Sequence, residues 1–214
     1  MYTKLLAYEI RSRLVADARS FGAFVAVIAV AAGIVAAGLP GISGSTVMLA
    51  YALCALTPAA CVIAALADYW KTLYGQRGYF TMSLPISGTV IFWAKITRIV
   101  IECLLALALA VGGIFAVAAA AAWSDGISLA EYTAGPRSLV AGMPTYTVVI
   151  MIAVQIVLSM SWIVQGCAAM TIGAEGRFNH LGFGAPIIGF VLVYVIDQVL
   201  STVGTFFLPL SVTT

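Results

Sequence analysis

Five uninterrupted apolar runs, each long enough to cross a bilayer, dominate this chain and leave few folds open to it. A spanning helix needs about 20 apolar residues, because each residue rises about 1.5 Å through a hydrocarbon core roughly 30 Å thick. The runs are Phe21–Gly38, Thr46–Ala67, Thr97–Ala122, Thr145–Thr171 and Phe183–Leu208. They are continuous rather than alternating apolar and polar, which argues against a closed transmembrane barrel. Composition agrees: 63% of the 214 residues are hydrophobic and 8% charged, where a soluble domain carries about a quarter charged. The sequence predicts an all-α, polytopic integral membrane protein with five transmembrane helices, residues 1–214 forming a single transmembrane domain.

Lysine and arginine set the expected orientation. The N-terminal segment carries Lys4, Arg11, Arg13 and Arg19; the second connection and its edges carry Lys71, Arg77, Lys95 and Arg98; the fourth carries Arg177. Only Arg137 of the ten basic residues falls on the other side. The positive-inside rule then places the N-terminus in the cytoplasm and, after five spans, the C-terminus outside. About twenty residues of mixed charge precede the first run, longer than the basic region of a cleavable signal, so a permanent anchor is expected. Within that segment Leu6, Ile10 and Leu14 recur every four residues, giving one apolar and one charged face. An interfacial elbow helix over residues 1–20, lying along the inner leaflet with its basic residues at the headgroups, is expected. A cytoplasmic extension of the first span is the alternative.

The parts of an enzyme are missing. Gly41-Ile42-Ser43-Gly44 has the GxSG form of rhomboid-like intramembrane proteases, but the sole histidine, His180, falls on the opposite membrane face. A nucleophile and its base must come within hydrogen-bond reach, so these two form no dyad. No GxxxxGK[ST] phosphate loop, HExxH or paired-carboxylate arrangement occurs. No cofactor is expected on this chain, and any ATP hydrolysis must belong to another polypeptide. Cys54, Cys61, Cys103 and Cys167 lie inside apolar segments without CxxC spacing, as small core residues do. No basic patch with interleaved aromatics marks nucleic acid as a partner.

Asp197 is the one ionisable residue deep within a span, with Gln198 beside it. An intramembrane carboxylate either serves a function or hydrogen-bonds a neighbouring helix. Arg98 and Glu102, four apart, are expected to form a local ion pair. Ala29, Gly33 and Ala37, and again Ala106 and Ala110, have the spacing that lets helices approach closely.

The connection after the second span is distinctive. Asp68 to Tyr74 is short and aromatic-rich, able to make two helical turns lying flat on the inner face. Gly75-Gln76-Arg77-Gly78 turns the chain, and Pro85 prevents a continuous helix into the next span, which begins near Ser87. The order Tyr69-Trp70-Lys71, Leu73-Tyr74-Gly75, Arg77-Gly78-Tyr79, Thr81 to Ser87 with its Leu-Pro-Ile-Ser, and then Lys95 resembles the permeases of type-2, exporter-like ABC transporters. Thr171-Ile172-Gly173 through Asn179-His180 resembles a short inner loop of the same family, and the N-terminal amphipathic segment has the place of its elbow helix. The resemblance implies that residues 68–87 form a coupling loop docking on a separate ABC ATP-binding subunit, which holds the ATP and magnesium. Tyr69, Trp70, Lys71, Leu73 and Tyr74 would dock, with polar contacts from Arg77.

It further implies a second permease subunit, identical or related, in the cytoplasmic membrane. Export of a peptide, drug or lipid would then run along a path from spans one, two and five that includes Asp197 and Gln198. Family members usually have six spans and this chain supplies five. The aromatics of the loop equally suit a lipid-interface belt. A secondary transporter or small channel using Asp197, and a membrane scaffold or immunity protein without transport, are the other readings.

Overall fold

The structure, a computed structural model, describes residues 2–38, 43–75, 78, 81, 83, 85–174 and 184–207. Among the described residues there are seven helices and no strand. They are α1 (Tyr2–Ala36), α2 (Ser43–Leu73), α3 (Gly88–Ser124), α4 (Leu129–Tyr132), α5 (Ala134–Ala141), α6 (Thr145–Gly173) and α7 (Gly184–Phe207). Each apolar run is covered by one long helix over its described residues, except that α1 stops at Ala36, and these five helices are long and apolar enough to cross a membrane. The chain is a multi-pass membrane protein. At about 1.5 Å per residue the five measure from about 36 to about 56 Å, so most outrun the hydrocarbon core.

Helix ends fall where the backbone chemistry demands. Gly38, at φ 57°, closes α1, and Gly126, at φ 67°, closes α3; glycine takes this left-handed conformation without a Cβ penalty. Ser87 stands at the N-cap of α3, two residues after Pro85, as the Leu-Pro break predicts. Pro58 sits inside α2 without ending it, which membrane helices tolerate because neighbouring groups take up the freed carbonyl.

The N-terminal segment is not a separate elbow. Residues 2–20 and the first span are one unbroken helix, because no glycine or proline interrupts the chain before Gly22. The extension of the first span, the second of the two sequence expectations, is what forms.

The chain divides into two compact units, residues 1–67 with 85–158, and residues 68–84 with 159–214. In the first, α1 packs along α3, and Ile28, Ala31 and Val35 of α1 meet Ala50 and Cys54 of α2 and Val117 and Ala121 of α3. The small-residue stripe Ala29, Gly33, Ala37 is exposed instead; the buried face of α1 runs beside it. Ala106 and Ala110 are buried as their spacing suggests. In the second unit α6 and α7 approach closely at Gly189, where an added Cβ would lie 3.4 Å from the Ala169 carbonyl oxygen.

The tightest point of the first unit is Gly113. A Cβ there would sit 2.9 Å from Cys54 Sγ and 3.0 Å from Ile28 Cδ1, so only glycine lets the three helices meet. Gly113→Leu is expected to destabilise the protein by about 1–3 kcal/mol through overpacking, whereas Gly112→Leu, with nothing within 4 Å of its Cβ, is expected to be neutral. Thermal unfolding in detergent, followed with a thiol-reactive dye that reports exposure of the four buried cysteines, measures both.

Candidate functional site

The segment from Asp68 to Leu73 is not a flat helix of its own. It forms the last turns of α2, since no breaker stands between Pro58 and Gly75. The helix ends where the N–H groups of Tyr74 and Gly75 both donate to the Trp70 carbonyl, at 2.8 and 3.1 Å, and Gly78 N–H donates to Gly75 O at 2.8 Å. Both glycines are required sterically. A Cβ on Gly75 would lie 2.7 Å from the Lys71 carbonyl oxygen, and one on Gly78 would overlap the carbonyl oxygen of Leu73. Thr81 Oγ1 donates to the Thr72 carbonyl at 3.1 Å, pinning the returning chain to the helix end.

The expected docking residues divide between two faces. Tyr69 is 1% exposed, and its hydroxyl lies 2.9 Å from Thr171 Oγ1. Thr171 donates its own proton to the Cys167 carbonyl at 2.8 Å, so Tyr69 is the donor in that pair. Leu73 is buried as well. Tyr69 therefore ties the end of α2 to α6, and neither Tyr69 nor Leu73 offers a surface. Lys71 is exposed, and the half-buried rings of Trp70 and Tyr74 stand 5.3 Å apart. Arg77, Tyr79, Asn179 and His180, together with Gly41 and Ile42 of the GxSG string, lie outside the described residues.

A second constellation occupies the first unit. Glu9, Arg13 and Asp17 recur every four residues and so share one face of α1; Lys95, Arg98 and Glu102 share a face of α3. Lys95 Nζ lies 3.0 Å from Glu9 Oε1, with side chains 4% and 14% exposed. Arg98 and Glu102 form the expected i, i+4 pair at 3.0 Å. Arg13 feels the charges of Glu9, Asp17, Arg98 and Glu102, and Asp17 that of Glu102. Three acids thus balance three bases. Tyr2 adds a 2.6 Å hydrogen bond to Thr97. The outward face of the same half of α1 carries Tyr8, Leu14 and Val15, each more than half exposed. Lys4, Arg11 and Arg19 are exposed as well, so only Glu9, Arg13 and Asp17 of this segment's charges turn toward α3. The i, i+4, i+8 charge spacing was the available signal, but nothing in one helix alone identifies its opposite number on α3.

The third constellation is in the second unit. Asp197 Oδ2 accepts a 2.6 Å hydrogen bond from Gln165 Nε2 of α6, the neighbouring-helix bond that its position suggests. Gln198, exposed, donates to Tyr194 Oη at 3.0 Å. Trp162 of α6 lies 5.8 Å from Phe190 and 6.0 Å from Tyr194, ring to ring. Gln165 and Trp162 escape a reading that weighs only charged residues, although an amide inside an apolar run is itself a polarity signal. Comparison with protein-family models, curated proteins and solved structures finds no match to this chain.

Opposed charges buried between two helices are costly to unbalance. Lys95→Met alone is expected to destabilise by about 3 kcal/mol, because it strands the Glu9 carboxylate in a dry interface. Adding Glu9→Gln to Lys95→Met is expected to recover most of that loss. Unfolding by dodecyl sulfate in mixed micelles, with both single variants and the pair, reads the coupling.

Proposed function

We propose that this chain is the membrane-spanning permease subunit of an ATP-driven transporter of the type-2 ABC class. It would sit in the cytoplasmic membrane with its N-terminus on the cytoplasmic side and work as a homodimer or beside a related subunit. ATP and magnesium would be held by a separate ATP-binding subunit, and the cargo would be a peptide, drug or lipid. The observation that carries this reading is the end of α2 with its loop, from Tyr69 through the Leu-Pro-Ile-Ser string. Two features support it. Lys71 is exposed beside the Trp70–Tyr74 ring pair, a mixture of aromatics and charge that suits a protein interface. The helix behind them is continuous for 31 residues, so a push on its last turn is carried along it into the membrane.

A second reading has one observation in its favour. The Gln165–Asp197 bond puts a carboxylate at membrane depth, as an ion-coupled carrier or small channel would require.

The first reading is tested by association. Purified through a tag from its native membrane in mild detergent, the chain is expected to bring down an ATP-hydrolysing partner in fixed ratio. Trp70→Ala combined with Lys71→Glu is expected to reduce that recovery by about tenfold or more, as loss of an interface hot spot does, without shifting the chain's own unfolding midpoint. Recovery of the chain alone, or a double variant that binds as well as the wild type, contradicts the reading.

A further inference from the structure

The α6–α7 pair carries more polarity than packing two membrane helices requires. Asp197 lies 13 residues from the start of α7 at Gly184 and 10 from its end at Phe207, about 20 and 15 Å along the helix. That is near the middle of any bilayer α7 crosses. Gln165 supplies one hydrogen bond to one carboxylate oxygen, where an ionised carboxylate offers about four acceptor sites. An amide also leaves the negative charge in place, and neither α6 nor α7 contains a lysine or arginine.

One turn before this hydrogen-bonded pair, an aromatic pair bridges the same two helices. Tyr194 precedes Asp197 by three residues and Trp162 precedes Gln165 by three, so each ring shares a helix face with one member of the hydrogen-bonded pair. The tilted Trp162–Tyr194 contact leaves both rings accessible, at 41% and 42% exposure. The bond from Gln198 to Tyr194 Oη holds that ring in place. Aromatic faces attract cations within about 6 Å of their centroids, more strongly when water is excluded. A lone carboxylate is too few ligands for a divalent metal, which takes several oxygens. A cation with delocalised charge and apolar substituents needs none of these ligands, gives up little hydration and complements both the rings and the carboxylate.

We propose that Asp197, Trp162 and Tyr194 form an intramembrane binding site for a lipophilic organic cation. That the bound cation is also the cargo rests on the permease reading above; the binding itself does not. Tetraphenylphosphonium is the probe, with tetraphenylborate as its size-matched anion. The full chain in nanodiscs of zwitterionic lipid is measured by equilibrium binding against empty nanodiscs. Saturable binding of the phosphonium and none of the borate is expected. Asp197→Asn is expected to weaken it by about tenfold or more, as loss of a desolvated charge partner does, while Asp197→Glu retains it. Trp162→Leu is expected to weaken binding several-fold and Trp162→Phe much less, as a cation–π contact does; this pair decides the matter if the Asn variant is not monodisperse. No saturable binding to the wild type, equal binding of the borate, or unchanged affinity in Asp197→Asn and Trp162→Leu overturns the site. Binding by a chain that recruits no ATP-hydrolysing partner would overturn the permease reading and leave the site standing.

Discussion

A charge that is withdrawn from water between helices has to find its partner on the protein, and the first unit is organised by that requirement. Glu9 meets Lys95 and Arg98 meets Glu102, while Arg13 and Asp17 share the face of α1 that carries Glu9. Three acids and three bases thus set their formal charges against one another. This opposition also sets the rotation of α1 about its axis, since only one face presents Glu9, Arg13 and Asp17 together. With that rotation fixed, Ile28, Ala31 and Val35 fall on the apolar contact with α2 and α3 farther along the same helix. The charged half and the apolar half of α1 are two ends of one continuous packing face.

The second unit meets the same requirement differently. The Tyr69 hydroxyl donates a hydrogen bond to Thr171, whose own hydroxyl donates to the Cys167 carbonyl. A short relay of neutral hydrogen bonds thus ties the end of α2 to α6 without any ion pair. Farther along α6, Gln165 reaches Asp197. There the polar demand is only half met, with a neutral donor facing a charged acceptor and aromatic rings alongside. A structural relay and a half-satisfied carboxylate on one helix have different consequences: the first fixes a helix end, and the second leaves capacity for a ligand.

Much of the fold is legible in the sequence because it depends on local quantities. The length of each apolar run predicts its helix, and Gly75, Gly78 and Pro85 mark the turn after α2 through their own steric limits. What stays hidden depends on distant partners. The alternation of charge and leucine in residues 2–20 suits an interfacial elbow as well as an extension, and only Lys95, 86 residues away, turns the charges inward. Tyr69 looks like an interface aromatic until Thr171, 102 residues on, is placed against it. Asp197 stands out from composition alone, whereas its partner Gln165 and the flanking Trp162 belong to another helix. Of the candidate docking surface, the helix end and its turn are readable in advance; the face it presents is not.

A permease driven by ATP and a carrier driven by an ion gradient would use the same helices, so the energy source separates them. Inside-out vesicles from cells that carry this chain, compared with vesicles from cells that lack it, can be given ATP and tetraphenylphosphonium in the surrounding medium in the presence of a protonophore. For an ATP-driven permease, chain-dependent accumulation persists with the protonophore and stops when vanadate blocks ATP hydrolysis. Accumulation that is insensitive to vanadate, or that vanishes when the proton gradient is collapsed, would contradict the permease reading.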